Sequence, residues 1–158
     1  MKKLLFALLI FTTFETAAQN YNSAIGLRGG VDSGITYKAK LNDFSAAEGI
    51  ASFRYRGVVV TGLYTIQNDW DIKGEPFQWY YGGGGHVGLF NSRNNSNGFG
   101  NSFDGGVIIG LDGIIGMEYT FPAAPINISL DYKPAFNLVG DVGFWWDGFS
   151  LGVRYVLD

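Results

Sequence analysis

Cysteine is absent from the 158 residues, which excludes a disulfide framework and any thiolate metal site. Histidine occurs once, at His86, and a single imidazole without a second ligand nearby has no metal-binding spacing. A basic excess is also lacking. The formal net charge is −3, and nothing points to a nucleic-acid partner. Long apolar runs are missing too: the one at Leu4–Phe11 is too short to cross a bilayer as a helix, which takes roughly 20 residues. Beyond it, no segment carries a 3.6-residue apolar period.

Glycine and aromatic residues are plentiful instead. Glycine occupies 24 of 158 positions, about twice the usual share of roughly 7%, and aromatics make up 16%. The basic start Met1-Lys2-Lys3, the apolar run and the small residues Thr16-Ala17-Ala18 read as a secretory signal over residues 1–18. Residues 19–158 then form one domain. Lys2, Lys3 and Glu15 leave with the signal, so the remainder carries a net charge of −4.

A period of two runs through this remainder. Eight segments show it: AIGLRGG, GITYKAKL, ASFRYRG, VVVTGLYTIQ, FQWYYGGGGHVGLF, VIIGLDGIIGMEYTF, INISLDYK and FSLGVRYVL. In the last, Phe149, Leu151, Val153, Tyr155 and Leu157 alternate with Ser150, Gly152 and Arg154. The segments between them read as turns: VDSG, NDFSAAEG, Arg56-Gly57, NDWDIKGEP, NSRNNSNGFGNS, FPAAP and NLVGDVGFWWDG. Eight alternating strands predict an all-β fold, a closed antiparallel up-and-down barrel or a sandwich.

Alternation does not say which face looks outward. A lipocalin-like barrel turns its apolar face in around a ligand, whereas a transmembrane barrel turns it out to lipid. Three features favour the transmembrane barrel. One is the export signal. Another is glycine on the polar face, at Gly26, Gly82, Gly84, Gly110, Gly116 and Gly152, where a narrow interior needs small residues opposite long ones. The third is aromatics near the ends of apolar faces: Phe77, Trp79, Tyr119, Phe121 and Tyr155. A one-residue slip would turn Arg28, Lys38, Arg54 and Arg154 to lipid, at roughly 2–4 kcal/mol each near the midplane.

With its strand count, its alternation and its SLGVRYVL ending, the chain resembles the small eight-stranded outer-membrane barrels: the OmpX type, the OmpA transmembrane domain and, more distantly, OmpW. Ser150, Gly152, Tyr155 and Leu157 look like the terminal signal read by the barrel-assembly machinery, although Leu157 stands where an aromatic often does. The resemblance implies an outer-membrane location, a monomer, and contact with outer-membrane lipid and lipopolysaccharide. It implies no cofactor and no enzymatic activity. A periplasmic C-terminus would put VDSG, Arg56-Gly57, NSRNNSNGFGNS and NLVGDVGFWWDG outside the cell.

Gly83-Gly84-Gly85-His86-Val87-Gly88 fits the G-x-G-x-x-G dinucleotide pattern, but it lies inside an alternating strand and opens no helix. His86 shares parity with Gln78 and Tyr80, so it is expected in the lumen as a hydrogen-bonded histidine. A catalytic base of a lipid A-modifying barrel is the sharper alternative; the His-x-Ser pairing of such deacylases fails here, because Gly88 follows at that position. The lumen set reads as Arg28, Lys38, Lys40, Arg54, Arg56, Lys133 and Arg154 against Asp112, Glu118 and Asp131. An ion-paired plug is expected from these residues, since buried charges must be paired. A narrow anion-favouring path is the alternative, and a secreted lipocalin-like carrier the other class of reading.

Overall fold

The computed structural model describes residues 22–54, 57–72, 75–90, 95–96, 102–103, 106–140 and 142–157. The expected signal over residues 1–18, Arg56 and most of the loop 91–102 lie outside them.

The strands are β1 (Ser23–Gly30), β2 (Ser33–Asn42), β3 (Ser45–Arg54), β4 (Gly57–Ile72), β5 (Glu75–Phe90), β6 (Asn95–Ser96), β7 (Ser102–Phe103), β8 (Gly106–Thr120), β9 (Ile126–Tyr132), β10 (Ala135–Val139), β11 (Gly143–Trp145) and β12 (Phe149–Leu157). Each wall strand pairs antiparallel with its neighbours. β12 returns to pair with β1, from Ser23 opposite Leu157 to Gly30 opposite Ser150, and closes the ring. The fold is thus a closed eight-stranded antiparallel up-and-down barrel, and β6 and β7 form a separate two-residue ladder.

The count of eight survives because β9 and β10 are successive pieces of one wall strand. Both pair with β8, β9 along Ile115–Thr120 and β10 along Ile109–Asp112. Pro134, which has no N–H to give a ladder, sits at the break between them. β11 and β12 follow suit, pairing with β10 and β9 on either side of Trp146–Gly148. At this seam the Lys133 amide donates to the Gly148 carbonyl at 2.8 Å. A Cβ on Gly148 would lie 1.9 Å from the Lys133 carbonyl oxygen, so the approach needs glycine.

Three segments that read as turns prove largely extended. NDFSAAEG holds only a two-residue turn, because β3 already begins at Ser45. Within NDWDIKGEP, β4 runs on to Ile72 and β5 starts at Glu75. NLVGDVGFWWDG contains the end of β10 and all of β11. In each case ladder hydrogen bonds to a neighbouring strand override the turn-forming preference of Asn, Asp and Gly.

The faces follow the alternation. Leu27, Ile35, Leu130 and Leu151 stand 50–68% exposed on the outer wall, while Lys38 and Arg154 are 0% and 1% exposed within. Aromatics gather outside towards both ends of the barrel. Phe77, Tyr119 and Phe121 are in successive ring contact at 4.7 and 4.9 Å near the chain termini. Phe136, Phe144 and Trp146 do the same at 4.5 and 4.8 Å near the opposite end.

Inward glycines let the strands coil tightly. A Cβ on Gly84 would lie 1.8 Å from the Gly62 carbonyl oxygen, whereas one on outward Gly49 would meet nothing within 4 Å. Gly84→Ala is therefore expected to destabilise the barrel by at least the ~1–3 kcal/mol typical of overpacking, with Gly49→Ala close to neutral. Urea unfolding of the two variants in one detergent measures the difference.

Candidate functional site

The interior is filled by side chains from every wall strand, in three tiers. The order of inward residues on single strands shows them: Glu48, Ile50, Ser52 and Arg54 on β3, and Glu118, Gly116, Ile114 and Asp112 on β8. An ionic tier nearer the termini is separated by an apolar one from a second ionic tier.

The lower tier joins six charged residues. Glu48 accepts from Thr36 at 2.6 Å and from Arg154 at 2.7 Å, with Arg28 at 3.4 Å. Arg28 also engages both oxygens of Asp131, one of them at 3.1 Å, in the bidentate geometry that suits guanidinium and carboxylate. Lys38 donates to Glu118 at 2.8 Å and lies 4.1 Å over the Tyr80 ring, whose hydroxyl donates to Asp131 at 2.9 Å. Arg154 is held further by Ser129 and Asn127 at 2.9 and 3.1 Å. With its amide turned to suit its neighbours, Gln67 donates to Glu118 at 3.1 Å and accepts from Lys38 at 3.0 Å.

Ile50, Leu63, Tyr80 and Ile114 cluster to form the middle tier. All four are buried side chains of the inward parity, and on β3 and β8 they stand between the charged residues of the two ionic tiers.

The upper tier is built partly from turns and the seam. Arg54 donates to Asp32 at 2.6 Å and to Asp147, and its guanidinium lies 4.3 Å over the Trp145 ring. Lys133 bridges Asp32 and Asp112 at 3.1 and 2.9 Å. His86 sets Nδ1 2.7 Å from Asp112 and Nε2 3.0 Å from the Asn137 oxygen, with Trp145 stacked on its ring at 5.6 Å. Burial works against the charge of Asp32, in the turn beyond β1, but Lys133 and then Arg54 outweigh it and hold its carboxyl below the ordinary range.

The structure brings Arg28, Lys38, Arg54, His86, Asp112, Glu118, Asp131, Lys133 and Arg154 into the lumen together. Lys40 is half-buried beside them on β2, and Arg56 lies outside the described residues. To the three acidic residues expected against seven basic ones, Glu48 and Asp32 add two buried carboxylates and Asp147 a third, partly exposed, and among the described residues the ion pairs of the lower tier join three cations to three anions. Glu48 was legible by counting back in twos from Arg54. Asp32 and Asp147 come from irregular segments with no periodic signal. Among the terminal residues, Ser150 and Gly152 point inward and Tyr155 outward on β12, the strand that closes the ring.

His86 and Asp112 resemble two members of a nucleophile–base–carboxylate relay, but Nε2 faces an amide and not a hydroxyl. Among the described residues no group of three metal-ligating side chains occurs.

Removing one partner from a buried network strands the other's charge, at about 3–5 kcal/mol. Glu48→Ala and Glu118→Ala are each expected to destabilise the barrel by that order, read as a lower urea midpoint. For Asp32 the folded carboxyl titrates below its unfolded value. Its contribution is therefore full above about pH 4, the ordinary carboxylate range, and is lost as pH falls through the folded value. Asp32→Asn should flatten that acid limb of the stability profile. No protein-family model and no curated protein matches the chain.

Proposed function

We propose that the chain is a small outer-membrane β-barrel with a plugged lumen and a structural or surface-interacting role. The observation that carries this reading is inverted polarity: paired charges fill the inside, and large apolar side chains cover the outside. An apolar outer wall is stable in lipid, and closure leaves no strand edge unpaired there. Aromatics towards both ends match interfacial girdles. Such a barrel meets lipid and lipopolysaccharide along its wall and relies on the assembly machinery to insert.

A lipocalin-like carrier needs an apolar interior, and here ion pairs occupy that space. Free passage of solute is opposed by the apolar tier and by the two networks on either side of it. The functional surface is then the end away from Ser23 and Leu157, where the VDSG turn and strands β10 and β11 lie.

Electrophoresis of boiled and unboiled membrane fractions tests the reading. A band confined to the outer membrane that changes mobility on boiling is expected, with no steady conductance in planar bilayers. A heat-insensitive soluble protein would overturn it.

A further inference from the structure

We propose that the outer wall carries a binding groove for one phospholipid, whose acyl chain lies between aromatic banks and whose amine-bearing headgroup meets Glu75. Such a site rests on the outer-membrane reading and narrows it, from a wall that meets lipid everywhere to one place that selects it.

A concavity of about 460 Å³ opens on the outside of the barrel, within the roughly 300–1,000 Å³ of small-ligand sites. Trp70 and Trp79 form one bank, Tyr132 and Phe149 the other, with Met117 and Leu130 between them. Ring contacts fix both banks: Trp79 stacks on Tyr81 at 5.5 Å, and Tyr132 packs against Phe149 at 4.6 Å. The floor reaches the β8–β9 ladder where Gly116 pairs with Asp131. Gly116 has no side chain, and the Asp131 carboxylate turns inward to Arg28, so neither covers that backbone from outside. The side chains that line the groove from outside are apolar or aromatic, which suits hydrocarbon.

Its course fits a chain. Trp70 stands beyond the Ser45–Ile66 pair, on the terminus side of β4, whereas Phe149 opens β12 at the far end of that strand from Leu157. The groove therefore climbs the wall from the aromatic band near the termini, as an acyl chain climbs from the interface into a bilayer.

Charge at the lower mouth names the headgroup. Glu75 precedes Phe77 by two residues on the same face of β5, and Phe77 pairs with Trp70. The Glu75 carboxylate accepts from the Tyr119 hydroxyl at 2.9 Å, within the aromatic band. Among the described wall-strand residues of outward parity, Glu75 is the only charged one. Asp43 and Asp69 are exposed at the same end, and no described cation is exposed there; Lys73 lies outside the described residues. A carboxylate in acidic company attracts an ammonium and repels a headgroup whose only charge is its phosphate. The lipid that fits both parts is of the ethanolamine type.

Tryptophan emission quenched by brominated lipid tests this. The purified chain, checked for heat-modifiable mobility, is placed in phosphatidylcholine vesicles that contain a second lipid with brominated chains. With Trp145 and Trp146 replaced by Phe, the emission comes from Trp70 and Trp79 alone. Phosphatidylethanolamine is expected to reach the same quenching at a mole fraction about two- to fivefold lower than phosphatidylglycerol with the same chains, the order an exposed ion pair supplies. Glu75→Gln should bring the two lipids together. A chain that keeps only Trp146, exposed near the opposite end, should not tell them apart. Equal quenching of Trp70 and Trp79 by the two lipids overturns the groove and leaves the barrel in the membrane. A preference that survives Glu75→Gln, or that is as strong at Trp146, overturns the groove as well. Quenching of no tryptophan by either lipid overturns the outer-membrane reading, and the groove with it. Where a variant fails to fold, the unsubstituted chain gives the same comparison, and the ethanolamine lipid should still be the stronger quencher.

Discussion

Glu48 is the knot of the barrel. Its carboxylate on β3 gathers Thr36 from β2, Arg28 from β1 and Arg154 from β12, across the strand pair that closes the ring. Arg28 and Arg154 then reach Asp131 and Glu118 on the far wall. A long basic side chain in a narrow interior has nowhere to go unless an acid meets it. An acid there is equally costly alone. The pairing condition, applied strand by strand, specifies which parity points inward and so which residues coat the outside.

That condition also explains the glycines. Arginine, lysine and tyrosine fill the space of several smaller residues, and Gly82, Gly84 and Gly116 stand where neighbouring backbones or the Tyr80 ring leave no room for a Cβ. The same crowding makes the interior a plug. An eight-stranded barrel is barely wide enough for its own side chains, and here an apolar tier interrupts the polar column.

Regular alternation made most of this legible before any coordinates. The strands around Arg28, Lys38, Arg154, Glu118 and Asp131 each have a clear apolar face, and their inward residues follow by parity. What escaped lies where local preference and tertiary pairing disagree. NDFSAAEG has the composition of a turn, yet its Glu48 sits mid-ladder because β4 offers a long partner. Asn137 and Trp145 belong to a stretch rich in Gly and Asp that extends only by pairing beyond the Pro134 break. Asp32 and Asp147 fold over the lumen from irregular backbone, where no period exists to read. The ion-paired plug was therefore visible in outline, and its acidic half and its cap were not.

The inside-out polarity is tested most directly on β9, whose outward Ile126, Ile128 and Leu130 alternate with inward Asn127, Ser129 and Asp131. Because the chain has no cysteine, single cysteines can be placed along this strand one at a time and spin-labelled in native membranes. Oxygen, which partitions into lipid, should relax the labels at 126, 128 and 130 strongly, and a water-soluble nickel complex should not. Strong relaxation of those three by the aqueous complex would contradict a lipid-facing apolar wall.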